Sequence, residues 1–265
     1  MQYIKHLTTA VIFLLFLASC EKVIEVDLNS ASPKFVIEGM VTDGDGPQQV
    51  RITRTKNFDE NNTFEGIDSA EVIIADDEGN NAILSYYGNG IYQTADLSGV
   101  PGNTYYLSVN IEEQIFTAES TMPHPVELDS LYIQEFTAFG NSRNIPTVLY
   151  SDPAGIRNFY RHILYVNYTR VLSIYINTDQ GNDGEQVERP LPYFGEDEEE
   201  RIKAGDTITV KMQSIGKDVY DYLFSLNQTL TQSVATPANP VSNITGDALG
   251  YFSAYSVRTE TIQVE

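Results

Sequence analysis

Histidine and acidic side chains are the residues in this sequence whose chemistry could support catalysis. Such catalysis places a base beside a nucleophile, with a third group to orient the base. His124 lies between two prolines, and His162 lies in an alternating, β-type segment. No Gly-x-Ser-x-Gly, His-Glu-x-x-His or glycine-rich phosphate loop is present. We therefore predict no catalytic residues and no enzymatic activity. Paired carboxylates of the glycosidase kind stay an open alternative, because their separation in space is not visible in a sequence.

Two acidic segments offer the oxygen ligands that hard cations take. Residues 196–200 are five consecutive acids, but like charges repel and such blocks are usually solvated. Residues 179–184 resemble a calcium loop faintly, with glycine at the third ligand position and Pro190 in place of the bidentate glutamate. We expect no metal and no cofactor, and whether the acidic loops bind calcium is left open.

Cys20 is the only cysteine in the chain. It follows Lys5, an apolar stretch over 7–17 and two small residues, in the sequence Leu-Ala-Ser-Cys. This arrangement is typical of a bacterial lipoprotein signal, in which the cysteine thiol is acylated before cleavage. We predict a signal peptide over 1–19, lipidation of Cys20, and a lipid-anchored tether over 20–32.

The charge of the chain limits its partners. Its formal net charge is −21, from 16 basic and 37 acidic residues. Lys5 is the only charged residue among the first 19, so the chain from Cys20 onward carries 15 basic against 37 acidic residues, a net −22. Such a surface repels nucleic-acid phosphates and anionic lipid faces. We expect no nucleic-acid partner, and membrane attachment through the lipid on Cys20 alone.

The first half of the chain alternates apolar and polar residues in short runs separated by turn signals. Seven or eight strands at about ten-residue spacing predict an immunoglobulin-like β-sandwich over 33–122. The tryptophan and cysteines of true immunoglobulin domains are absent, so only the architecture is predicted. The predicted strands are 35–41, 49–54, 70–75, 82–87, 90–94, 104–110 and 114–119.

The stiff segment 122–125, Met-Pro-His-Pro, predicts a domain boundary. A second β-rich domain is expected over 123–265, interrupted by an acidic polar span over 177–201. Apolar residues at three- and four-residue steps predict one amphipathic helix near 217–233. The fold class is thus mainly β, with strands expected at 131–136, 147–150, 158–168, 171–176, 206–212, 248–257 and 259–264.

The 17 tyrosines of the chain concentrate in the predicted strands. Tyrosine packs well on sheets, which is the simpler interpretation. The alternative is an aromatic platform for a sugar, a peptide or a partner protein.

Two stretches of the sequence are similar to a known family. One is Gly246-Asp247-Ala248-Leu249-Gly250-Tyr251-Phe252, preceded by Asn239-Pro240 and Asn243-Ile244; the other is Cys20-Glu21-Lys22-Val23-Ile24-Glu25-Val26-Asp27-Leu28. Together they resemble the domain-of-unknown-function 4249 (DUF4249) lipoproteins of Bacteroidota, over nearly the whole chain after the signal. The chain is short for that family, and residues 177–201 are its own.

The resemblance implies a function that the residues alone do not. Members of the family have no established activity and are commonly encoded beside TonB-dependent outer-membrane receptors. We therefore expect a non-enzymatic accessory binding component, lipid-anchored in the outer membrane and surface-exposed, that assists nutrient uptake. A structural or adhesive envelope lipoprotein and a glycan- or peptide-active enzyme are the alternatives, and the ligand-binding residues are unknown at this stage.

Overall fold

A computed structural model describes residues 32–56, 63–138, 141–193, 201–231 and 239–265. The predicted signal peptide, Cys20, almost all of the predicted tether and the acidic run 196–200 lie outside the described residues. Contacts divide the chain into Met1–Ser32 and a compact unit, Pro33–Glu265, to which the description below applies.

The described residues are mainly strands, as the alternating sequence predicts. The strands of the first half are β1 (Phe35–Thr42), β2 (Gln48–Arg54), β3 (Glu71–Asp76), β4 (Asn81–Ile83), β5 (Ser85–Gly88), β6 (Ile91–Thr94), β7 (Thr104–Ile111) and β8 (Gln114–Thr121). The second half contributes β9 (Leu128–Ala138), β10 (Asn141–Ser151), β11 (Phe159–Val166), β12 (Thr169–Arg170), β13 (Tyr175–Thr178), β14 (Gln186–Pro190), β15 (Thr207–Ser214), helix α1 (Lys217–Leu230) and β16 (Leu249–Gln263).

Three sheets are formed. The largest runs in the order β12-β11-β15-β16-β1-β2-β6-β5, with β13 also paired to β11. A second sheet runs β4-β3-β7-β8 and a third runs β14-β10-β9. Each small sheet shares a buried apolar cluster with one half of the large sheet, so the molecule consists of two sandwich-like halves.

The final strand joins the two halves. The amino-terminal part of β16 pairs in parallel with β1, from Val36 opposite Leu249 to Thr42 opposite Tyr255. Its carboxyl-terminal part pairs antiparallel with β15, beginning with Ser256 opposite Ser214. Two separate strands were predicted here, and the structure has one strand of 15 residues. No turn is needed, because the strand simply changes partner at Tyr255 and Ser256.

The sharing of β16 bears on the domain organisation. Contacts group Pro33–Glu265, which spans both predicted domains over 33–122 and 123–265, into one compact unit, and the division into domains stays a prediction. The reason for the single unit is that Phe252 and Ala254 of β16 belong to the buried core of the first sandwich, while Ile262 of the same strand packs against that of the second. One strand therefore ties both cores together.

The predicted amphipathic helix is confirmed as α1, Lys217–Leu230. Its buried face packs Val219, Tyr222 and Leu223 against the large sheet, where Tyr222 meets Tyr251 at 4.8 Å between ring centroids. Asp218 in the first turn suits the positive end of the helix dipole. Within the described ranges, no helix has both the length and the apolarity to cross a bilayer.

Strand β14 was not predicted from the sequence, nor was the two-residue strand β12. The span 177–201 was expected to be polar and irregular, yet β14 lies inside it and pairs with β10, Val148 opposite Arg189. Val187 and Leu191 are buried on one face of this segment, and Arg189 shares that face by strand alternation.

Candidate functional site

A cavity of about 280 Å³ lies between helix α1 and strands β11, β13 and β14. The strands contribute polar side chains, and the helix contributes two aromatic rings and an amide. The residues lining the cavity are His162, Ile174, Tyr175, Ile176, Asn177, Arg189, Pro190, Leu191, Tyr220, Phe224 and Asn227.

Strand alternation places the polar side chains in this cavity. In β11, Tyr160, His162 and Leu164 are all buried, as residues two apart on a core-facing side should be. Strand β13 pairs with β11 so that Tyr175 lies opposite His162 and Asn177 lies opposite Tyr160. The positions of His162 and Asn177 in the cavity wall are thus set by strand register.

His162 is the most unusual residue of the cavity. Its side chain is almost fully buried, and neither ring nitrogen has a hydrogen-bond partner within the part of the chain that the structure describes. Burial, together with the nearby charge of Arg189, lowers the pKa of His162 to about 3. The imidazole is therefore neutral at physiological pH, with one N–H donor and one lone-pair acceptor unused.

Two further polar atoms of the cavity lack partners. They are Nε of Arg189 and Oδ1 of Asn177, both buried. The other end of the Asn177 amide is fixed, because its Nδ2 donates a hydrogen bond to the Tyr150 hydroxyl at 2.7 Å. Among the described residues, no carboxylate forms an ion pair with Arg189.

These unpartnered atoms set the chemical character of the cavity. A buried donor or acceptor left unsatisfied costs about 1–3 kcal/mol, and four such atoms belong to residues that line this cavity. A polar guest that pairs with them recovers part of that cost. The aromatic wall includes Phe224, whose ring centroid lies 5.9 Å from that of Tyr220, with the two rings stacked. Because Phe224 is 45% exposed, it lies at the opening of the cavity. The cavity therefore combines a polar interior with an aromatic mouth.

The acids of the faint calcium loop lie elsewhere. Asp179 and Asp183 meet Asp152, a residue not singled out from the sequence, with carboxylate oxygens within 4.8 Å of one another. Arg157 Nη1 lies 3.1 Å from Asp179 Oδ1, and the backbone N–H of Asn158 donates a hydrogen bond to Asp179 Oδ2 at 2.7 Å.

The remaining carboxylates of this cluster are also partnered. The Gly155 amide donates to Asp183 at 2.7 Å, and the buried hydroxyl of Tyr160 donates to Asp152. The cluster therefore ties the turn after β13 to the segment between β10 and β11. It adjoins the cavity through Tyr160, whose neighbour Tyr150 holds Asn177.

The two histidines beyond the signal have different surroundings. His124 is exposed and its ring faces Gly102 in the first sandwich, whereas His162 is enclosed in the second. The structure does not bring them together. His162 was noted in the sequence only as a strand residue, and its pattern gives no signal that its nitrogens lack partners.

Some tyrosines pack the sheets, and others are exposed or line the cavity. Tyr105, Tyr150, Tyr160 and Tyr251 are buried and pack the sheets, which is the simpler interpretation. Tyr87 and Tyr168 are strongly exposed. The tyrosines that line the cavity are Tyr175 and Tyr220.

The carboxyl-terminal stretch that resembles the family, residues 239–252, has a structural role. Asn243 accepts a hydrogen bond from the Phe252 amide at 2.9 Å and donates to the Phe252 carbonyl and to Asp218 of α1, each at 2.8 Å. Ser242 donates to the Gly250 carbonyl at 2.8 Å. These bonds lock the segment before β16 onto the strand and onto the helix, so the signature marks the fold and not the cavity.

The fold and cavity together define a mainly β, two-sandwich protein with a polar cavity beneath a helix. The family model described as "Domain of unknown function (DUF4249)" matches residues 21–261, and the chain belongs to this family. The expected family is thereby confirmed. No curated protein matches the chain in a sequence comparison.

Proposed function

We propose that this protein is a lipid-anchored, surface-exposed outer-membrane lipoprotein that acts as a non-enzymatic accessory binding component beside a TonB-dependent receptor in nutrient uptake. The observation that carries the binding role is His162, buried in the cavity with neither ring nitrogen partnered. Arg189 and Asn177 present further unpartnered atoms to the same space. An arrangement of this kind is costly unless a guest uses it.

The anchoring part of the proposal rests on the sequence. The apolar stretch 7–17 ends in Leu-Ala-Ser before Cys20, and the chain from there on carries a strongly negative charge. A charge of that sign does not favour adsorption to anionic lipid, so acyl chains on Cys20 supply the membrane affinity. The receptor as partner is an inference from the family's gene neighbourhoods.

The lining of the cavity favours binding over hydrolysis. Glycoside hydrolysis uses two carboxyl groups flanking the scissile bond. The described residues that line the cavity include no carboxylate. The nearby acids Asp152, Asp179 and Asp183 are held by their own donors in the loop cluster.

The test is native co-purification from outer-membrane fractions. We expect the wild-type chain to incorporate labelled fatty acid, to sediment with outer membrane and to recover a TonB-dependent receptor. Cys20→Ser removes the acceptor thiol and should abolish labelling and release the protein, while Ser19→Ala keeps a small residue before Cys20 and should change neither. Recovery without any TonB-dependent receptor would refute the accessory role and favour a structural envelope protein.

A further inference from the structure

We propose that the cavity beneath α1 binds a small carboxylate-bearing ligand that carries an O–H or N–H donor beside the carboxylate. The proposal rests on the proposed binding function and names the chemistry of its ligand. Three features of the cavity lead to it: an arginine with no carboxylate partner among the described residues, an acceptor of fixed orientation, and an aromatic wall around a small volume.

The carboxylate is inferred from Arg189. Guanidinium groups pair best with planar oxyanions, which they hold through parallel N–H donors. The Nε of Arg189 is buried and without a partner, and no described carboxylate pairs with this side chain. His162 lines the same cavity and has an N–H free to donate to the same anion. A ligand carboxylate is therefore matched by a charge and by donors from two strands.

The neighbouring donor is inferred from Asn177. The hydrogen bond from Nδ2 to the Tyr150 hydroxyl sets the orientation of the amide, and Oδ1, which can only accept, is the atom without a partner among the described residues. The second nitrogen of His162, the lone-pair side of the neutral ring, is also an acceptor. The ligand must present at least one O–H or N–H to these atoms.

The volume and walls limit the rest of the ligand. Ligand pockets commonly measure about 300–1,000 Å³, so a cavity of about 280 Å³ suits a single small molecule and excludes a long glycan. Tyr175, Tyr220 and Phe224 offer ring faces, on which a flat aromatic ring or the apolar face of a sugar packs. Two sources share this chemistry: an aromatic 2-hydroxy or 2-amino acid, and a single uronic acid.

The experiment uses the full chain purified from membranes in detergent, with histidine rings isotopically labelled at Cε1. Only His124 and His162 follow the predicted signal, so His162→Asn assigns both ring signals. The probes are L-phenyllactate and D-glucuronate, each compared with its neutral counterpart, methyl L-phenyllactate or D-glucose. A fifth probe, 3-phenylpropionate, keeps the carboxylate and lacks the adjacent hydroxyl.

We expect one of the two acids to shift the His162 ring signal and to release or absorb heat in calorimetry. Its neutral counterpart should bind roughly 10- to 150-fold more weakly, the value of a hydrogen bond to a charged group. The acid that binds identifies the source. If that acid is phenyllactate, 3-phenylpropionate should bind more weakly than it does, because Asn177 then loses its donor.

Variants test the assignment to Arg189. Arg189→Gln should lower the affinity for the acid that binds by a similar factor and leave the affinity for its neutral counterpart little changed. Arg157→Gln removes a matched arginine outside the cavity lining and should leave both affinities as in wild type. If Arg189→Gln fails to fold, the comparison of acid with neutral probe on the wild-type chain decides the matter alone.

Two outcomes would overturn the inference: neither acid shifts the His162 signal, or the neutral counterpart binds as tightly as the acid. Either result leaves the accessory role standing if the receptor still co-purifies. Loss of the receptor with acid binding intact would instead refute the proposed partner and keep the ligand class.

Discussion

Gly250 of β16 lies directly against Ile37 of β1, its register partner across the parallel pair. A Cβ atom on Gly250 would stand 2.0 Å from the Ile37 carbonyl oxygen, and the backbone there has φ +102°. Both facts require glycine, because no side chain fits the space and L residues rarely adopt that φ. This contact closes the junction between the first and last strands.

Gly250→Ala should therefore be strongly destabilising. We expect the free energy of unfolding to fall by about 3–5 kcal/mol, since the strands must separate to admit the methyl group. Gly79→Ala is the matched control: Gly79 also has a positive φ, +92°, but nothing lies within 4 Å of its added Cβ. That variant should lose only about 1 kcal/mol. Urea titration followed by circular dichroism measures both, and equal losses would contradict the contact.

Stability should depend on pH through His162. Its pKa is about 3 in the folded chain and ordinarily 6.5 for a histidine exposed to water, so below pH 6.5 the unfolded state binds a proton that the folded state does not. The free energy of unfolding then falls as pH decreases, by about 1.4 kcal/mol per pH unit for this group. Above pH 6.5 its contribution is constant.

His162→Asn isolates this effect. Denaturant titrations at pH 7, 6 and 5 should show a smaller loss of stability per pH unit for His162→Asn than for wild type. His124→Asn serves as the comparison for removing a histidine outside the cavity lining. Parallel slopes for wild type and His162→Asn would show that the buried ring does not contribute.

The charge of Arg189 should be visible in the titration of His162. Arg189 is one cause of the lowered pKa of this histidine, after burial. Arg189→Gln removes the positive charge, so the pKa of His162 should rise while remaining below its ordinary value. A pH series of the labelled ring signal measures it, with Arg157→Gln as the control. An unchanged or lower pKa in Arg189→Gln would place the guanidinium away from the ring.

The hydrogen bond from Tyr160 to Asp152 should couple the two residues energetically. Asp152→Ala leaves the buried Tyr160 hydroxyl without its acceptor, at a cost of about 1–3 kcal/mol. Tyr160→Phe removes the hydroxyl, so Asp152→Ala should cost less in that background. A double-mutant cycle should give a coupling energy of about 1–2 kcal/mol. Additive losses would show that the pair makes no net contribution.

The sequence was informative wherever a pattern is local. Alternation correctly predicted most strands, and three- and four-residue spacing predicted α1, because each reflects one buried face of one element. Two final strands were predicted where the structure has one. The position at which β16 changes partner depends on its long-range pairing with β1 and then with β15, which a local pattern does not contain.

The cavity was not predictable for the same reason. Arg189 stands in the acidic polar span 177–201, which was expected to interrupt the β pattern, and its pairing with β10 reveals a strand. His162 and Asn177 belong to separate strands, whose register sets them near one another. The family signature was recognisable in the sequence, yet Asn243 and Gly250 maintain the fold and do not line the cavity.

The pairing of β1 with β16 also imposes an order on biogenesis. Val36 and its partner Leu249 are 213 positions apart, so β1 is synthesised long before its neighbour exists. Until the carboxyl end arrives, β1 keeps one unpaired edge, which is a template for strands of other chains. The high negative charge of the polypeptide makes such half-finished chains repel one another. The acidity of the chain thus also opposes aggregation while its sheet is still open.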